Sequence, residues 1–242
     1  MRCGRRIEGR RRTPLDLRWP EAAEYTELAR VWSEDAVEKM LKTVWRGYDA
    51  LVVEVLAQID ITEADEELER TITQLLEPHI RRHLSGNEPY DIQHGPYEYA
   101  TRKPAPAQPP QYDIAFVLHQ NPKVMWPLEA KVLRGDSTVT TYVQDVQNEF
   151  LTGRYAPYAN SGAMLGYLFR GSPAKAFENI SGALACHLRS LPGFSTRHHR
   201  ISDHFRNLIQ PGFVSGLFQC HHLIMELNIP RASTHQIQTT SA

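Results

Sequence analysis

The stretch Tyr112-Asp-Ile-Ala-Phe-Val-Leu118 is followed, after a short turn-like segment, by Val124-Met-Trp-Pro-Leu-Glu-Ala-Lys-Val-Leu133. Both are short apolar runs of the composition that is typical of β-strands. Because side chains alternate between the two faces of a strand, Glu129 and Lys131 project on the same face. If the two runs pair as a hairpin, Asp113 approaches Glu129. The pair of runs therefore predicts two carboxylates and one ammonium in a single cleft.

The composition is that of an ordinary globular protein. The chain has 242 residues, of which 41% are hydrophobic and 23% are charged. Its apolar runs are far shorter than the roughly 20 residues that cross a bilayer, and the first residues lack the apolar stretch of a signal peptide. Three widely spaced cysteines, Cys3, Cys186 and Cys220, predict no disulfide framework. We therefore expect a cytoplasmic protein without a membrane partner.

The charge is unevenly distributed along the chain. Residues 1–18 contain seven arginines against Glu8 and Asp16, so this segment carries +5 and leaves −6 for the remainder. We interpret it as a basic, disordered arm that can contact phosphates without sequence specificity. A disordered terminus with no such role is the alternative. The polar residues 231–242 are predicted to form a disordered tail.

The first part of the chain has helical periodicity. Apolar residues recur at three- and four-residue intervals over 21–58, which predicts two helices broken near Gly47. A further helix is predicted over 65–84, with Pro78 expected to kink or interrupt it. We therefore interpret 19–62 as a helical extension and 63–230 as the main domain.

Strands and helices then alternate. The predicted strands are 97–102, 112–118, 124–133, 162–169 and 218–229, the predicted helices are 140–151 and 173–191, and 195–200 is interpreted as a loop. The order describes an α/β fold with a mixed sheet flanked by helices, whose first three strands form an antiparallel meander. Pro127 lies inside the third strand and predicts a bulge or an unpaired stretch there.

Asp113, the strand segment Pro127-Leu-Glu-Ala-Lys131 and the order of elements around them resemble the PD-(D/E)XK nuclease superfamily, whose fold is restriction-endonuclease-like. The resemblance covers about residues 65–229. It departs from the signature at Tyr112, where the family has proline, although Pro110 is close upstream. The resemblance implies a divalent-metal-dependent nuclease that hydrolyses phosphodiester bonds, with DNA as the expected substrate and restriction or anti-phage defence as the expected setting.

The resemblance also implies a role for each residue of the motif. Asp113 and Glu129 would ligate one or two Mg²⁺ or Mn²⁺ ions, with the carbonyl of Ala130 completing the oxygen ligands that these ions prefer. Lys131 would orient or help to deprotonate the attacking water. Glu69 is the candidate for a further metal ligand, because a helical wheel places it at the edge of the apolar stripe that faces the sheet. A surface acid at the edge of that stripe is the open alternative.

The helix after the motif would support the site. Gln144 or Gln147 would hydrogen-bond the lysine or a phosphate oxygen, and the sequence does not decide between them, whereas Tyr142 is interpreted as a packing residue. The basic side chains expected to contact nucleic acid are Arg102, Lys103, Lys123, Arg134, Arg197 and Arg200.

Other interpretations stay open. One is a catalytically inactive, nuclease-like subunit that docks on DNA or on a partner protein, and a homodimer is compatible with either function. Another is an amphipathic strand with no catalytic role. The segments Cys186-His187 and Cys220-His-His222 could form a zinc site, but neither has the paired spacing of a zinc finger.

Overall fold

A single mixed sheet of seven strands organises the protein in the computed structural model, which describes residues 32–54, 59–101, 108–210 and 212–227. The helices are α1 (Glu34–Glu54), α2 (Asp65–Arg81), α3 (Thr140–Asp145, continued by a π-helical turn Val146–Phe150), α4 (Pro173–Leu184) and a short 3-10 turn (Pro192–Phe194). The strands are β1 (Tyr90–His94), β2 (Ile114–Leu118), β3 (Met125–Leu133), β4 (Ser161–Leu168), β5 (Arg189–Ser190), β6 (His199–Arg206) and β7 (Gly216–Glu226).

The strand order is β1-β2-β3-β4-β7-β6-β5. β3 and β4 are parallel, as are β4 and β7, and the other neighbours are antiparallel. α2 packs against β1 and β3, α3 contacts β3, and α4 contacts β7. The predicted mixed sheet flanked by helices and its antiparallel β1-β2-β3 meander are thus confirmed.

The hairpin of β2 and β3 forms without a bulge at Pro127, and the alternative, an unpaired stretch, holds only on the side of β4. The register runs unbroken from Ile114 opposite Leu128, through Ala115 opposite Pro127, to Val117 opposite Met125. On the other side, β3 pairs with β4 only from Leu128 onward. Pro127 is therefore tolerated because its missing N–H lies outside the pairing with β4.

The first strand was predicted at 97–102, which is later in the sequence than the strand in the structure. The structure has β1 at Tyr90–His94, whereas Tyr97 makes only an isolated bridge to Gln111. Tyr90 and Ile92 are the buried residues of this strand. Two alternating apolar residues are too few for a strand to be recognised from the sequence. The strand ends at Gly95, where the chain turns with a φ of 67°.

A break in the N-terminal helix was predicted near Gly47. This prediction is wrong, because α1 runs continuously from Glu34 to Glu54. A Cβ on Gly47 would lie 2.6 Å from Ile80 Cγ1 and 2.8 Å from the Ile80 backbone nitrogen. The glycine therefore permits close packing of α1 on α2. The described part of the proposed extension belongs to the same core as the sheet, since Tyr48 donates a hydrogen bond to the Glu226 carbonyl at 2.7 Å.

The polar loop predicted at 195–200 includes the start of β6. The buried polar residues of β6 find partners within the protein, since His199 Nε2 lies 3.1 Å from His221 Nδ1. Arg206 is buried, and its guanidinium donates hydrogen bonds to four backbone carbonyls, those of Phe150, Ala156, Ala159 and Val214. Composition alone predicts a solvated segment here, because a buried arginine is rare unless the fold supplies acceptors.

Candidate functional site

The motif residues meet where β2 begins and β3 passes beside it. Asp113 immediately precedes β2, and the register places it opposite Glu129. The backbone N–H of Ala130 donates a hydrogen bond of 2.7 Å to Asp113 Oδ2. The hairpin thus places the first acid beside the Glu-Ala-Lys triplet.

Lys131 is the centre of the cluster. Its Nζ lies 3.0 Å from Glu69 Oε1, 3.2 Å from Glu129 Oε1 and 3.0 Å from Asp145 Oδ2. It also donates to the Ala130 carbonyl at 2.7 Å. One ammonium therefore links acids that come from α2, β3 and α3.

Glu69 reaches the sheet from α2. Its Oε2 accepts a hydrogen bond of 3.3 Å from the Val132 backbone N–H, and its Oε1 accepts from Lys131. The orientation predicted by the helical wheel is therefore confirmed. Leu68 and Ile72 on the same helix are fully buried, which holds α2 against the sheet and directs Glu69 inward.

Three of the acids, Glu69, Asp113 and Glu129, have pKa values above their ordinary range. Burial raises the pKa of Glu69 to about 7, although the nearby Lys131 opposes this effect. Burial raises the pKa of Asp113 as well, and burial together with the charge of Asp113 raises the pKa of Glu129 well above its usual range. Burial alone would lower the pKa of Lys131, but the surrounding carboxylates outweigh it and raise this pKa. The cluster therefore holds more negative charge than one ammonium neutralises.

The chemistry of the acids suits a hard divalent cation, whereas the arrangement of the described residues around Lys131 does not enclose one. Glu129 Oε2 is buried and has no hydrogen-bond partner, which is costly for a carboxylate oxygen. Asp113 and Glu129 supply the oxygens that Mg²⁺ and Mn²⁺ prefer. Within the described residues no group of three or more His, Cys, Asp or Glu side chains is arranged to hold a metal ion. Lys131 Nζ instead lies among the acids, and the Ala130 carbonyl accepts its hydrogen bond.

The third acid on Lys131 was missed by the sequence analysis. Gln144 and Gln147 are both exposed, and it is Asp145, between them on the chain, that contacts the lysine. Tyr142 is fully buried and hydrogen-bonds His222 Nδ1 at 2.9 Å, which supports its interpretation as a packing residue. A wheel drawn through α3 could have favoured Asp145, because it lies three residues from Tyr142 on the inward side.

We expect Asp145→Asn to lower the rate of any cleavage by this site about 10-fold, because Lys131 loses one of the charges that hold its position. Gln144→Ala is the matched control on the same turn and should leave the rate unchanged. Initial rates of the two variants with the same nucleic acid substrate check this. Equal effects of the two substitutions would contradict a positioning role for Asp145.

The basic residues expected to contact nucleic acid are mostly engaged within the protein. Arg134 Nε lies 2.6 Å from Asp65 Oδ1, and the same guanidinium donates to the Ile61 and Glu63 carbonyls. Its side chain also stacks over Phe169, with 5.7 Å from Cζ to the ring centroid. Arg134 thus fixes the start of α2 against the end of β3.

Arg197 and Arg200 lie at β6, three strands away from β3 in the sheet. Arg197 forms an ion pair with Asp49, and its Cζ lies 5.3 Å from the ring centroid of Trp45. Arg200 stacks over Phe177 at 5.2 Å. The structure therefore does not bring these two arginines to the cleft. Lys123 lies in the turn between β2 and β3, and Arg102 and Lys103 are outside the described residues.

The cysteine and histidine segments do not assemble as a zinc site in the described part of the chain. Cys220, His221 and His222 are buried on β7. His221 Nδ1 lies 3.1 Å from His199 Nε2, and His222 Nε2 lies 2.8 Å from Ser202 Oγ. These histidines form an internal hydrogen-bond network between β6 and β7.

Comparison of the chain with protein-family models, with curated proteins and with solved structures finds no match. The site is therefore interpreted from its own geometry. Across the described residues, no helix combines the length and the apolar character needed to span a membrane. The basic arm 1–18 and the polar tail 231–242 lie outside the described residues.

Proposed function

We propose that this chain is a divalent-metal-dependent nuclease of the PD-(D/E)XK type, with a restriction-endonuclease-like fold, acting on nucleic acid and expected to act on DNA. The observation that carries the proposal is the convergence of Glu129 and Glu69 on Lys131, with Asp113 held beside them by the Ala130 N–H and with Glu129 Oε2 buried and unpartnered. The meander that precedes two parallel strands, and the helix α2 that covers it, support the fold assignment.

The chemistry divides between the chain and the ion. Asp113 and Glu129 would hold Mg²⁺ or Mn²⁺, with Glu69 close enough to Lys131 to share the same cluster. When bound, the ion lowers the pKa of a water and stabilises the charge that develops on the phosphate. Lys131 Nζ now donates to Glu69, Glu129 and the Ala130 carbonyl, so a carboxylate that turns to the ion would release one N–H to orient the attacking water or bind a phosphate oxygen. The buried setting strengthens these interactions because little water competes with them.

The excess of carboxylate charge explains why a cation is required. Without one, burial makes the acids take up protons, as the raised pKa values of Glu69, Asp113 and Glu129 indicate. A bound divalent ion replaces those protons and leaves the carboxylates ionised. Metal binding should therefore release protons, and it should strengthen as the pH rises.

The test of the proposed function is cleavage of plasmid DNA, linear duplex DNA, single-stranded DNA and RNA by the full chain. We expect cleavage with Mg²⁺ or Mn²⁺, none with EDTA, and recovery when excess Mg²⁺ is added back. Glu129→Gln should abolish this cleavage, because the neutral amide is a poor metal ligand.

Glu178→Gln is the matched control, since Glu178 pairs with Lys175 on the exposed surface of α4. It should cleave at the wild-type rate. Cleavage that survives both EDTA and Glu129→Gln would show a contaminating enzyme and would refute the assignment. A folded protein that binds DNA without cutting it would favour the inactive, nuclease-like subunit, whose expected setting in restriction or anti-phage defence is the same.

A further inference from the structure

A cleft of about 430 Å³ opens directly beside the acids proposed to bind metal. Asp113 and Glu69 form part of its wall, together with Tyr112. Its remaining lining residues are Glu66, Arg70, His94, Gly95 and Gln111. Among the basic residues favoured by the sequence, those that the structure describes, Lys123, Arg134, Arg197 and Arg200, do not line this cleft.

One wall of the cleft is fixed to the strand that carries Asp113. The Gly95 backbone N–H donates to the Asp113 carbonyl at 2.9 Å, and Gln111 Nε2 donates to the Gly95 carbonyl at 2.8 Å. His94, the last residue of β1, is exposed and precedes this anchored glycine. The imidazole is therefore held near the acids that would bind metal.

The lining of the cleft is acidic, so a nucleic acid can bind there only if positive side chains offset the repulsion. Glu66, Glu69 and Asp113 repel a nucleic acid phosphate, so binding depends on positive side chains at the same place. Arg70 and His94 are the basic residues in the lining of this cleft. Arg70 is adjacent in sequence to Glu69, so a phosphate bound by its guanidinium would lie close to the reacting centre.

Arg70 is paired with an acid that a phosphate can replace. Its Nη1 lies 2.9 Å from both carboxylate oxygens of Glu67, and both side chains are more than half exposed. Exposed pairs of this kind contribute at most about 1 kcal/mol, whereas a guanidinium binds phosphate in a fork geometry that matches it well. Glu67 is therefore a competitor that substrate can displace.

We propose that Arg70, exchanging Glu67 for a backbone phosphate, and His94 together bind the nucleic acid strand that enters the cleft beside Asp113. This inference rests on the proposed nuclease function. It assigns substrate contact to α2 and the end of β1, and it makes Glu67 an internal competitor that weakens binding.

The experiment measures binding of fluorescein-labelled duplex and single-stranded DNA by anisotropy, in the full-length Glu129→Gln protein with Mg²⁺, so that cleavage does not intervene. Arg70→Ala should raise the Kd about 10-fold and reduce the salt dependence by about one phosphate contact. Glu67→Gln should lower the Kd about threefold, because its competition with phosphate is removed.

Charge-matched controls come from an exposed ion pair at the far edge of the sheet. Arg189 pairs with Asp203 at 3.1 Å, and β5 and β1 are opposite edge strands. Arg189→Ala and Asp203→Asn change the net charge as Arg70→Ala and Glu67→Gln do, yet they should leave the Kd within about twofold, because salt screens charge beyond about 10 Å. His94→Gln should raise the Kd about threefold, whereas His119→Gln in the β2–β3 turn should not.

Equal effects of Arg70→Ala and Arg189→Ala, or of Glu67→Gln and Asp203→Asn, would overturn the inference and leave the proposed nuclease function intact. Absence of any DNA binding by the Glu129→Gln protein would also overturn it. The metal-dependent cleavage by the wild-type chain then decides the proposed function separately. Circular dichroism of each variant shows that a change in Kd does not reflect unfolding.

Discussion

Lys131→Ala is expected to reduce metal-dependent cleavage about 10³-fold, because the ammonium that orients the water and contacts the phosphate is lost. The Lys131 side chain is only 16% exposed, because Glu69, Glu129 and Asp145 surround it, so solvent does not supply an equivalent donor at this position. Lys175→Ala, which removes an exposed lysine from α4, is the control and should retain full activity.

The same substitution should not weaken metal binding. Removing Lys131 leaves the carboxylates of Asp113 and Glu129 without their ammonium, so their attraction for a divalent cation increases. Isothermal titration with Mn²⁺ should therefore show an affinity at or above that of the wild type while cleavage is lost. If both binding and cleavage disappear in a protein that is folded by circular dichroism, Lys131 holds the site together and does not act on the substrate.

Acid should destabilise the protein strongly through the buried histidines of β7. Burial lowers the pKa of His221 and of His222 to about 3. A histidine with a depressed native pKa contributes stability that is present above its unfolded pKa near 6.5 and is lost as the pH falls toward its native pKa. Between pH 7 and pH 5 each of the two should cost the folded state about 2 kcal/mol.

The neighbours of His222 explain why it stays neutral. Its Nδ1 lies 2.9 Å from the Tyr142 hydroxyl of α3, and its Nε2 lies 2.8 Å from Ser202 Oγ of β6. Ser202 Oγ also lies 2.7 Å from His204 Nε2 and hydrogen-bonds the Cys186 thiol, so the titratable groups in this network are histidines, a tyrosine and a thiol, and none is a carboxylate. A charged imidazole at this position would be buried without a counter-ion.

The free energy of unfolding, measured in urea at pH 7 and at pH 5 for wild type and His222→Gln, checks this. The difference between the two pH values should be about 2 kcal/mol smaller in the variant. The raised pKa of Glu69 favours the folded state at the lower pH, which is opposite to the effect of His222. Because wild type and variant both contain Glu69, its contribution cancels when the two proteins are compared. His119→Gln, an exposed control, should behave as wild type, and an identical pH response in His222→Gln would contradict the prediction.

Much of the site could be predicted because it depends on local periodicities. The alternation of β3 places Glu129 and Lys131 on one face, and a two-strand hairpin brings Asp113 beside them. The helical period of α2 directs Glu69 toward the sheet. These relationships need only the geometry of one element or of neighbouring elements.

Residues whose partners are distant in sequence were not predictable in the same way. Asp145 was passed over for the neighbouring glutamines, because the rotation of α3 against β3 decides which side chain reaches Lys131. β6 was not predicted, and its start was placed in the loop at 195–200, because its polar residues become buried only when β7 and distant carbonyls supply partners. Arg134 and Arg197 were expected at the cleft but pair with Asp65 and Asp49, and these partners too are distant in sequence.

The sequence by itself determined the mixed α/β class, the β2–β3 hairpin and the inward face of α2, because apolar periodicity selects which side of each element is buried. Only the tertiary structure decided that Asp145 completes the lysine cluster, that Glu129 Oε2 is left without a partner, and that Arg70 and His94 line the cleft. Such contacts depend on how whole elements pack, since burial and charge pairing are properties of the assembled core.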